Sequence, residues 1–277
     1  MSNLLNNSMN NKFLVCIDSD GCAIDSMTVK HEKAFGPAFV EVWNVTNEKK
    51  IPILDEWNKL NLYSLTRGIN RFQGLLAILT SNPEFVDHKQ LITFEKWVKT
   101  TKALSAESLR EKYEETGLEI MAKALEWSDL VNAKIEALPL AQPFDGVKET
   151  IELIKTKADI AVVSSANFAA IKEEWEKCGL FKSVDYFFSQ ADGSKSECIS
   201  RLLSEGYNQE KTIMVGDALG DYKAAENNQV WFFPILVSKE SVSWLDLKYT
   251  YLPLFLNQQF NEKVQEELFS NMKENLS

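Results

Sequence analysis

The apolar positions along this chain follow two periods. Short unbroken apolar runs alternate with longer segments in which apolar residues recur every three or four positions. An unbroken run bounded by turn residues predicts a buried strand, and the longer spacing predicts an amphipathic helix. The predicted strands are 12–18, 159–164, 184–188, 211–216 and 230–236, and the helices between them are 146–157, 167–178, 195–206 and 220–228. This alternation is typical of an α/β fold, a doubly wound parallel sheet with helices on both faces.

The segment from Met27 to about Leu138 has helical periodicity and almost no strand pattern. We expect five or six helices there, with breaks at Pro37, Pro52, Pro83 and Gly117. The predicted layout is an α/β core over 12–25 and 141–277, interrupted after its first strand by an all-helical domain over 26–140.

The end of the chain carries one further helical pattern. Apolar residues recur there at four-residue steps, namely Phe260, Val264, Leu268 and Met272. This spacing predicts an amphipathic helix, which we expect to pack on the core of its own chain rather than on a partner.

Composition and charge restrict the function classes. The chain has 277 residues, of which 45% are apolar and 25% charged, as in a soluble globular protein. Its formal net charge of −10 argues against a nucleic-acid partner, because a phosphate backbone needs a basic face. Acidity does not exclude a small anionic substrate, since a bound metal ion can reverse the local field.

The sequence also predicts the compartment. No apolar stretch reaches the ~20 residues of a membrane span, and the first eleven residues lack the features of a signal peptide. The four cysteines, Cys16, Cys22, Cys178 and Cys198, show no paired spacing. We expect Cys16, Cys178 and Cys198 to be small buried side chains in a reducing compartment. We therefore expect a cytoplasmic protein, and no feature of the sequence indicates its oligomeric state.

Polar residues directly follow three of the predicted strands. They are Asp18 and Asp20, then Ser164 and Ser165, then Asp217 and Asp221. The carboxyl ends of parallel strands share one edge of a sheet, where ligands bind in open α/β folds. Crowded carboxylates repel one another unless a cation lies between them, and oxygen ligands select a hard divalent ion such as Mg²⁺. The pattern therefore predicts a magnesium site formed by these aspartates.

These residues also carry a family resemblance. Asp18-Ser-Asp20-Gly21, Ser164, Lys195 and Gly216-Asp217-x-x-x-Asp221, in that order, resemble the four motifs of the haloacid dehalogenase superfamily. The resemblance covers about 12–25 and 141–236. The helical insert resembles the cap domain of phosphoglycolate phosphatases and β-phosphoglucomutase. The resemblance implies a Mg²⁺-dependent phosphoric monoester hydrolase that acts on a small phosphorylated metabolite.

The resemblance assigns the two aspartates of the first motif. Asp18 would be the nucleophile that forms an aspartyl phosphate, and Asp20 would protonate the leaving group and then activate water. Family members that dehalogenate lack the second aspartate, so Asp20 indicates a phosphatase or phosphomutase. The structural alternatives are a metal-binding or strand-capping role for Asp18 and a turn-forming role for Asp20.

The other motifs would bind the phosphoryl group and the metal. Ser164 or Ser165 would hydrogen-bond a phosphoryl oxygen, although a helix N-cap would account for Ser164 as well. Lys195 would neutralise charge between Asp18 and the phosphoryl group; the alternatives are a surface lysine there and Lys182 in its place. Asp217 and Asp221 would complete the magnesium site with Asp18 and Asp20. One of the two would touch the metal, and the other would bind through water or hold Lys195.

Specificity is expected in the helical insert. Arg67 and Arg71 lie in an apolar segment and would grip a second anionic group of the substrate through paired hydrogen bonds. Lys30 and His31 follow the start of the insert and would face the site. The alternatives are solvated arginines at helix ends and a histidine on a helix surface.

The leading hypothesis is a magnesium-dependent phosphatase. A phosphomutase of the β-phosphoglucomutase type would use the same residues but exclude water. A non-catalytic phospho-acceptor such as a response-regulator receiver also gathers aspartates, a hydroxyl and a lysine at a sheet edge, but receivers are far shorter and have no helical insert. A catalytically silent binding module would not need every acidic position.

Overall fold

The structure is a computed structural model that describes residues 12–277. The chain divides into two compact units. One contains the described residues up to Met27 together with Leu140–Ser277, and the other is Thr28–Pro139. The prediction that residues 1–11 contain no signal peptide lies outside the described residues.

A parallel sheet forms the centre of the first unit. Within the described residues it has five strands in the order β3-β2-β1-β4-β5, all parallel. The strands are β1 (Phe13–Ile17), β2 (Ala158–Val163), β3 (Tyr186–Phe188), β4 (Thr212–Gly216) and β5 (Trp231–Pro234). The chain moves outward from β1 in one direction through β2 and β3, and in the other through β4 and β5. The prediction of a doubly wound parallel sheet is confirmed.

Both faces of the sheet are buried, which explains the unbroken apolar runs. In β1, Val15 and Ile17 belong to one hydrophobic cluster, whereas Leu14 and Cys16 belong to another. All four side chains are fully buried. Because side chains alternate along a strand, these clusters lie on opposite faces of the sheet. Both faces are covered by helices of the same unit.

Four core helices match the predicted ones closely. They are Val147–Lys155, Phe168–Lys177, Lys195–Ser204 and Leu219–Asn228, with short 3₁₀ turns at Phe181–Ser183, Gln190–Asp192 and Gln209–Lys211. After β5 come helices that the sequence did not reveal, Glu240–Asp246 and Leu252–Leu256, joined by the π-helical turn Leu247–Tyr251. The predicted tail helix is Glu262–Asn275, preceded by the buried Phe260. Its Leu268 and Met272 are buried in the two sheet clusters, so it packs on its own core as expected.

The secondary-structure elements of the second unit are all helices or helical turns. Its first helical stretch starts just before the unit and consists of Met27–Lys30, the π-helical turn His31–Phe35, and Gly36–Val42. It continues with Asn47–Leu62, Arg71–Ser81, the 3₁₀ turn Pro83–Phe85, His88–Thr100, Ala106–Thr116 and Glu119–Glu136. If the first stretch counts as one helix, there are six in this unit, within the predicted number. The unit has a hydrophobic cluster of its own, in which Trp57 and Trp127 are buried.

Two of the predicted helix breaks are wrong. Pro37 is one of the first two residues of Gly36–Val42, so it follows the π-helical turn without ending the helical stretch. Proline is tolerated at such a position because its missing N–H would have no partner in the first turn. Pro52 lies inside Asn47–Leu62, which continues because Ile53 and Trp57 are buried. Pro83 and Gly117, by contrast, do mark helix boundaries, and Gly117 adopts a left-handed φ of +62°.

All four cysteines are unpaired and buried. Among the described residues, no helix combines the length and apolarity that crossing a membrane would require.

Candidate active site

Three aspartates meet at the carboxyl edge of the sheet. Asp18 directly follows β1, and Asp217 directly follows the neighbouring strand β4. The Asp18 N–H donates to the carbonyl of Val215 in β4 at 3.0 Å. Asp221 lies one turn into the helix after β4. One carboxylate oxygen of each aspartate lies within 4.8 Å of the others, and all three residues are buried. The strand order reverses between β1 and β4, which is where open α/β sheets bind ligands.

Lys195 joins two of these aspartates. Its Nζ lies 2.7 Å from Oδ2 of Asp18 and 2.5 Å from Oδ1 of Asp221. The side chain is only 15% exposed, so it is not a solvated surface lysine. Lys195 is the first residue of its helix because Ser194 and Glu197 form a capping box in which the Ser194 N–H donates to Glu197 Oε2 at 2.7 Å. The cap therefore sets the start of the helix at Lys195, the residue that carries the ammonium group. Lys182, the alternative lysine, is exposed.

The charges in this cluster do not balance. Burial raises the pKa of Asp18 well above its usual range; the ammonium of Lys195 opposes this shift, and Asp221 and Asp217 add to it. Burial disfavours the charged form of Lys195, but Asp18 and Asp221 outweigh it and raise the lysine pKa. If all three groups were ionised, three carboxylates would face the ammonium of Lys195. Because the ligand atoms are carboxylate oxygens only, the cluster fits a hard divalent cation such as Mg²⁺.

Both carboxylate oxygens of Asp221 accept a hydrogen bond. Its Oδ1 accepts from Lys195 Nζ, and its Oδ2 accepts from the Ala218 N–H at 3.0 Å. The sequence left open which aspartate of the fourth motif holds Lys195. The structure places Asp221 in that position, at the start of the helix that follows β4.

The turn after Asp18 orients the first motif. The Ser19 N–H donates to Asp18 Oδ1 at 2.8 Å. Gly21 has a φ of +76°, a left-handed conformation that favours glycine. Asp20 is half-buried, and the buried Ser26 donates its hydroxyl hydrogen to Asp20 Oδ1. The Asp20 carboxylate is not part of the group of three, so its role as a metal ligand stays a prediction.

The two serines after β2 differ in their surroundings. Ser164 is 4% exposed, and its Oγ accepts from the Ala166 N–H at 3.2 Å. Ser165 is exposed. The helix that follows is capped by Asn167, whose Oδ1 accepts from the Ala170 N–H at 2.9 Å. The alternative that Ser164 is the helix N-cap is therefore wrong, because three residues separate it from the first helical turn.

Comparison with known proteins adds the family. The sequence profile of the haloacid dehalogenase-like hydrolases matches residues 75–235, more than half of the chain. The chain belongs to this family. The match starts after the first motif, so the roles assigned to Asp18 and Asp20 depend on the sequence pattern and on the geometry. No curated protein matches the chain in sequence.

Two solved structures with TM-scores of 0.50 or more share the fold. A protein from Lactobacillus delbrueckii subsp. bulgaricus, assigned as a phosphoglycolate phosphatase, has 15% identity and a TM-score of 0.51 over 94% of this chain and 99% of its own. A haloacid dehalogenase-like hydrolase from Xanthomonas campestris has 13% identity and a TM-score of 0.50 over 90% and 93%. A Thermotoga maritima protein assigned as a β-phosphoglucomutase has 15% identity and a TM-score of 0.45 over 80% and 84%.

In this haloacid dehalogenase-like hydrolase, Arg67 and Arg71 of the helical unit are not solvated helix ends. Arg67 is 2% exposed, and its guanidinium donates to the Leu62 carbonyl at 3.0 Å. Arg71 donates to Ser128 Oγ at 3.2 Å and to Asn132 Oδ1 at 2.9 Å. Burial lowers the pKa of Arg71. Both of its hydrogen-bond acceptors are neutral, so its charge has no counter-charge among these partners.

His31 and Arg71 share an aromatic neighbour. The His31 ring stacks on Phe35 with the centroids 4.6 Å apart, and the Arg71 guanidinium lies 5.3 Å from the centroid of the same ring. Trp57 Nε1 donates to His31 Nδ1 at 3.0 Å. His31 is thus held by the interior of the helical unit rather than lying free on a helix surface. Lys30 is half-buried at the end of its short helix.

Sequence reasoning missed the residues that support the first motif. Ser26 bonds Asp20, while Trp175 and Trp244 donate to the turn after Asp18. The position of Ser26 close to the motif was a usable signal. The tryptophans follow the motif by more than 150 residues, and no pattern in one sequence links them to it.

Proposed function

We propose that this chain is a magnesium-dependent phosphatase that hydrolyses a small phosphorylated metabolite through an aspartyl phosphate on Asp18. The observation that carries the proposal is the buried group Asp18, Asp217 and Asp221, whose ligand atoms lie within 4.8 Å of one another beside Lys195. A carboxylate is a weak nucleophile toward an anionic phosphate, so the reaction needs positive charge at this position.

Asp18 and Asp217 are the proposed direct ligands of Mg²⁺, because Asp221 is engaged with Lys195 and the Ala218 N–H. When bound, Mg²⁺ would offset the repulsion between the carboxylates and the phosphoryl oxygens. Asp20 is proposed to belong to the metal site as well, although its carboxylate lies outside the group of three.

The first step forms the covalent bond. Oxygen of Asp18 attacks phosphorus, the bond between phosphorus and the ester oxygen breaks, and Asp20 gives its proton to the departing alcohol oxygen. Asp20 suits an acid that must exchange protons, because it is half-buried whereas Asp18 is 6% exposed. The hydroxyl of Ser26 holds Oδ1 of Asp20.

The second step releases phosphate. Asp20, now a carboxylate, takes a proton from water, and the water oxygen attacks phosphorus of the aspartyl phosphate. The bond from phosphorus to Asp18 breaks and regenerates the carboxylate. Lys195 stabilises negative charge on Asp18 in both steps, since its Nζ lies 2.7 Å from Oδ2. Ser164 is proposed to donate to a phosphoryl oxygen, and Ser165 is its exposed alternative.

The rest of the substrate is proposed to interact with the helical unit. Arg71 carries a positive charge whose hydrogen-bond acceptors are neutral, which supports a role in binding a second anionic group. His31 lies against the same ring, whereas Arg67 is bonded to a carbonyl of its own unit. Lys30, the residue before His31, is proposed to face the substrate as well. A phosphorylated carboxylic acid, such as the one in the name given to the Lactobacillus protein, belongs in the first substrate screen.

The test uses p-nitrophenyl phosphate with the wild type, Asp18→Asn and the control Asp129→Asn. Asp129 is exposed in the helical unit, so its replacement should leave turnover unchanged. Asp18→Asn should abolish turnover while circular dichroism stays the same, and EDTA should stop the wild type until Mg²⁺ is added back. Full activity in Asp18→Asn would refute the role of Asp18 as the nucleophile. Release of inorganic phosphate without a bisphosphate primer separates the phosphatase from the phosphomutase alternative.

A further inference from the structure

Two buried tryptophans donate hydrogen bonds to the turn that carries the first motif. Trp175 Nε1 donates to Ser19 Oγ at 2.9 Å, and Trp244 Nε1 donates to the Cys22 carbonyl at 2.8 Å. Both indole rings are fully buried, as are Ser19 and Cys22. The tryptophans come from different helices, Phe168–Lys177 and Glu240–Asp246. The turn is therefore held from two sides by elements far away in the sequence.

Ser19 connects this anchor to the proposed nucleophile. Its N–H donates to Asp18 Oδ1 at 2.8 Å, and its carbonyl accepts from the N–H groups of Ala23 at 3.0 Å and Ile24 at 2.9 Å. One residue thus closes the turn with its carbonyl and orients the Asp18 carboxylate with its N–H. The hydroxyl of the same residue is the group that Trp175 bonds. A shift of Ser19 would move the Asp18 carboxylate with it.

The surroundings make the Trp175–Ser19 bond hard to replace. Trp175 and Trp244 belong to the hydrophobic cluster on one face of the sheet, together with Ile17 and Val215. A hydrogen bond in such apolar surroundings constrains geometry strongly, because a polar group that loses its partner there is left without one.

We propose that Trp175 is a positioning residue for the nucleophile: its indole N–H fixes Ser19, and Ser19 aims the Asp18 carboxylate at the metal and at the phosphoryl group. Trp244 is the second anchor of the same turn through the Cys22 carbonyl. This inference rests on the proposed function. It adds to that function a requirement for two indole donors that neither touch substrate nor carry charge.

The first test replaces Trp175 with phenylalanine, which keeps an aromatic ring and removes the N–H. Small misplacements of a reacting group cost rate rather than binding, so kcat should fall about 10-fold while KM stays within about 2-fold. Mg²⁺ affinity, measured by calorimetry without substrate, should fall about 3-fold or more, since Asp18 is a proposed ligand. Trp231→Phe is the matched control: its indole donates to the Glu210 carbonyl at 3.0 Å, away from the turn. It should keep the wild-type kcat and Mg²⁺ affinity.

The second test asks whether Trp175 acts through Ser19. Ser19→Ala keeps the backbone N–H and carbonyl and removes only the hydroxyl. If the hydrogen bond is the link, Ser19→Ala and the double variant with Trp175→Phe should lose no more than about the same 10-fold in kcat. Losses that multiply in the double variant would overturn the link. All variants are assayed below their unfolding temperatures, and Ser19→Ala tests the link even if Trp175→Phe does not fold.

The outcomes separate this inference from the function on which it rests. A wild type that neither releases phosphate from p-nitrophenyl phosphate nor binds Mg²⁺ would refute the proposed function. An active, Mg²⁺-binding wild type whose Trp175→Phe variant matches Trp231→Phe in kcat and in Mg²⁺ affinity would refute the positioning role alone.

Discussion

Gly216 is the last residue of β4, and the space beside it is already filled. A Cβ atom at this position would lie 2.3 Å from Cγ of Asp221 and 2.4 Å from its Oδ2. Non-bonded heavy atoms are in favourable contact only at about 3.5 Å, so Asp221 would have to move by roughly 1 Å. It is fully buried and bonded to Lys195 at 2.5 Å and to the Ala218 N–H at 3.0 Å. Gly216→Ala should therefore break the arrangement that holds Lys195.

The structure sets the size of this effect. Overpacking a filled site costs about 1–3 kcal/mol, and loss of a hydrogen bond to a charged group costs about 1.5–3 kcal/mol. We expect the free energy of unfolding to fall by about 4 kcal/mol, which corresponds to a drop of roughly 10 °C in Tm. Because Lys195 also contacts Asp18, its displacement should lower kcat about 100-fold.

The assay compares Gly216→Ala with Gly220→Ala by thermal unfolding and by turnover of p-nitrophenyl phosphate. Gly220 is exposed in the next helix, and a Cβ atom there would meet nothing within 4 Å. Alanine is favoured over glycine in a helix by about 1 kcal/mol, so this control should be at least as stable as the wild type. A Gly216→Ala variant with the wild-type Tm and kcat would refute the account of Asp221.

Two further predictions concern charge. Lys195→Met keeps an unbranched side chain, one atom shorter, but removes the ammonium between Asp18 and Asp221. In EDTA this variant should lose about 3 kcal/mol of stability in urea unfolding, and in excess Mg²⁺ it should regain part of that loss. Equal stability in EDTA and in Mg²⁺ would contradict the charge imbalance. Arg71→Lys keeps the charge but loses the two-pronged guanidinium, so KM for a substrate with a second anionic group should rise about 10-fold while p-nitrophenyl phosphate is unaffected. An equal change for both substrates would argue against the anion-binding role.

The sequence predicted the sheet well because its strands are buried on both faces. An unbroken apolar run such as Leu14–Ile17 strongly indicates a buried strand when Asp18 follows at once. The meeting of Asp18 with Asp217 follows from topology, since residues after parallel strands share one edge. The pairing of Lys195 with Asp221 was one of two open alternatives, and only side-chain positions could decide it.

What the sequence did not reveal depends on tertiary packing. Pro52 predicts a helix break because proline lacks an N–H, yet burial of Ile53 and Trp57 keeps the helix intact through it. The residues of Glu240–Asp246 give no clear period, and the helix is held by the fully buried Trp244. Local propensity is a weak guide wherever a large side chain decides the outcome by filling the core.

Burial of the acidic cluster costs free energy that the contacts within the fold do not offset. Three buried carboxylates within 4.8 Å of one another, with one lysine between two of them, are less favourable than an apolar core of the same volume. The backbone N–H groups of Ser19 and Ala218 reduce that cost but add no net charge. Positions optimised for stability alone would not carry these residues. Their presence at the edge where the strand order reverses supports the proposed cation site, independent of the family to which the chain belongs.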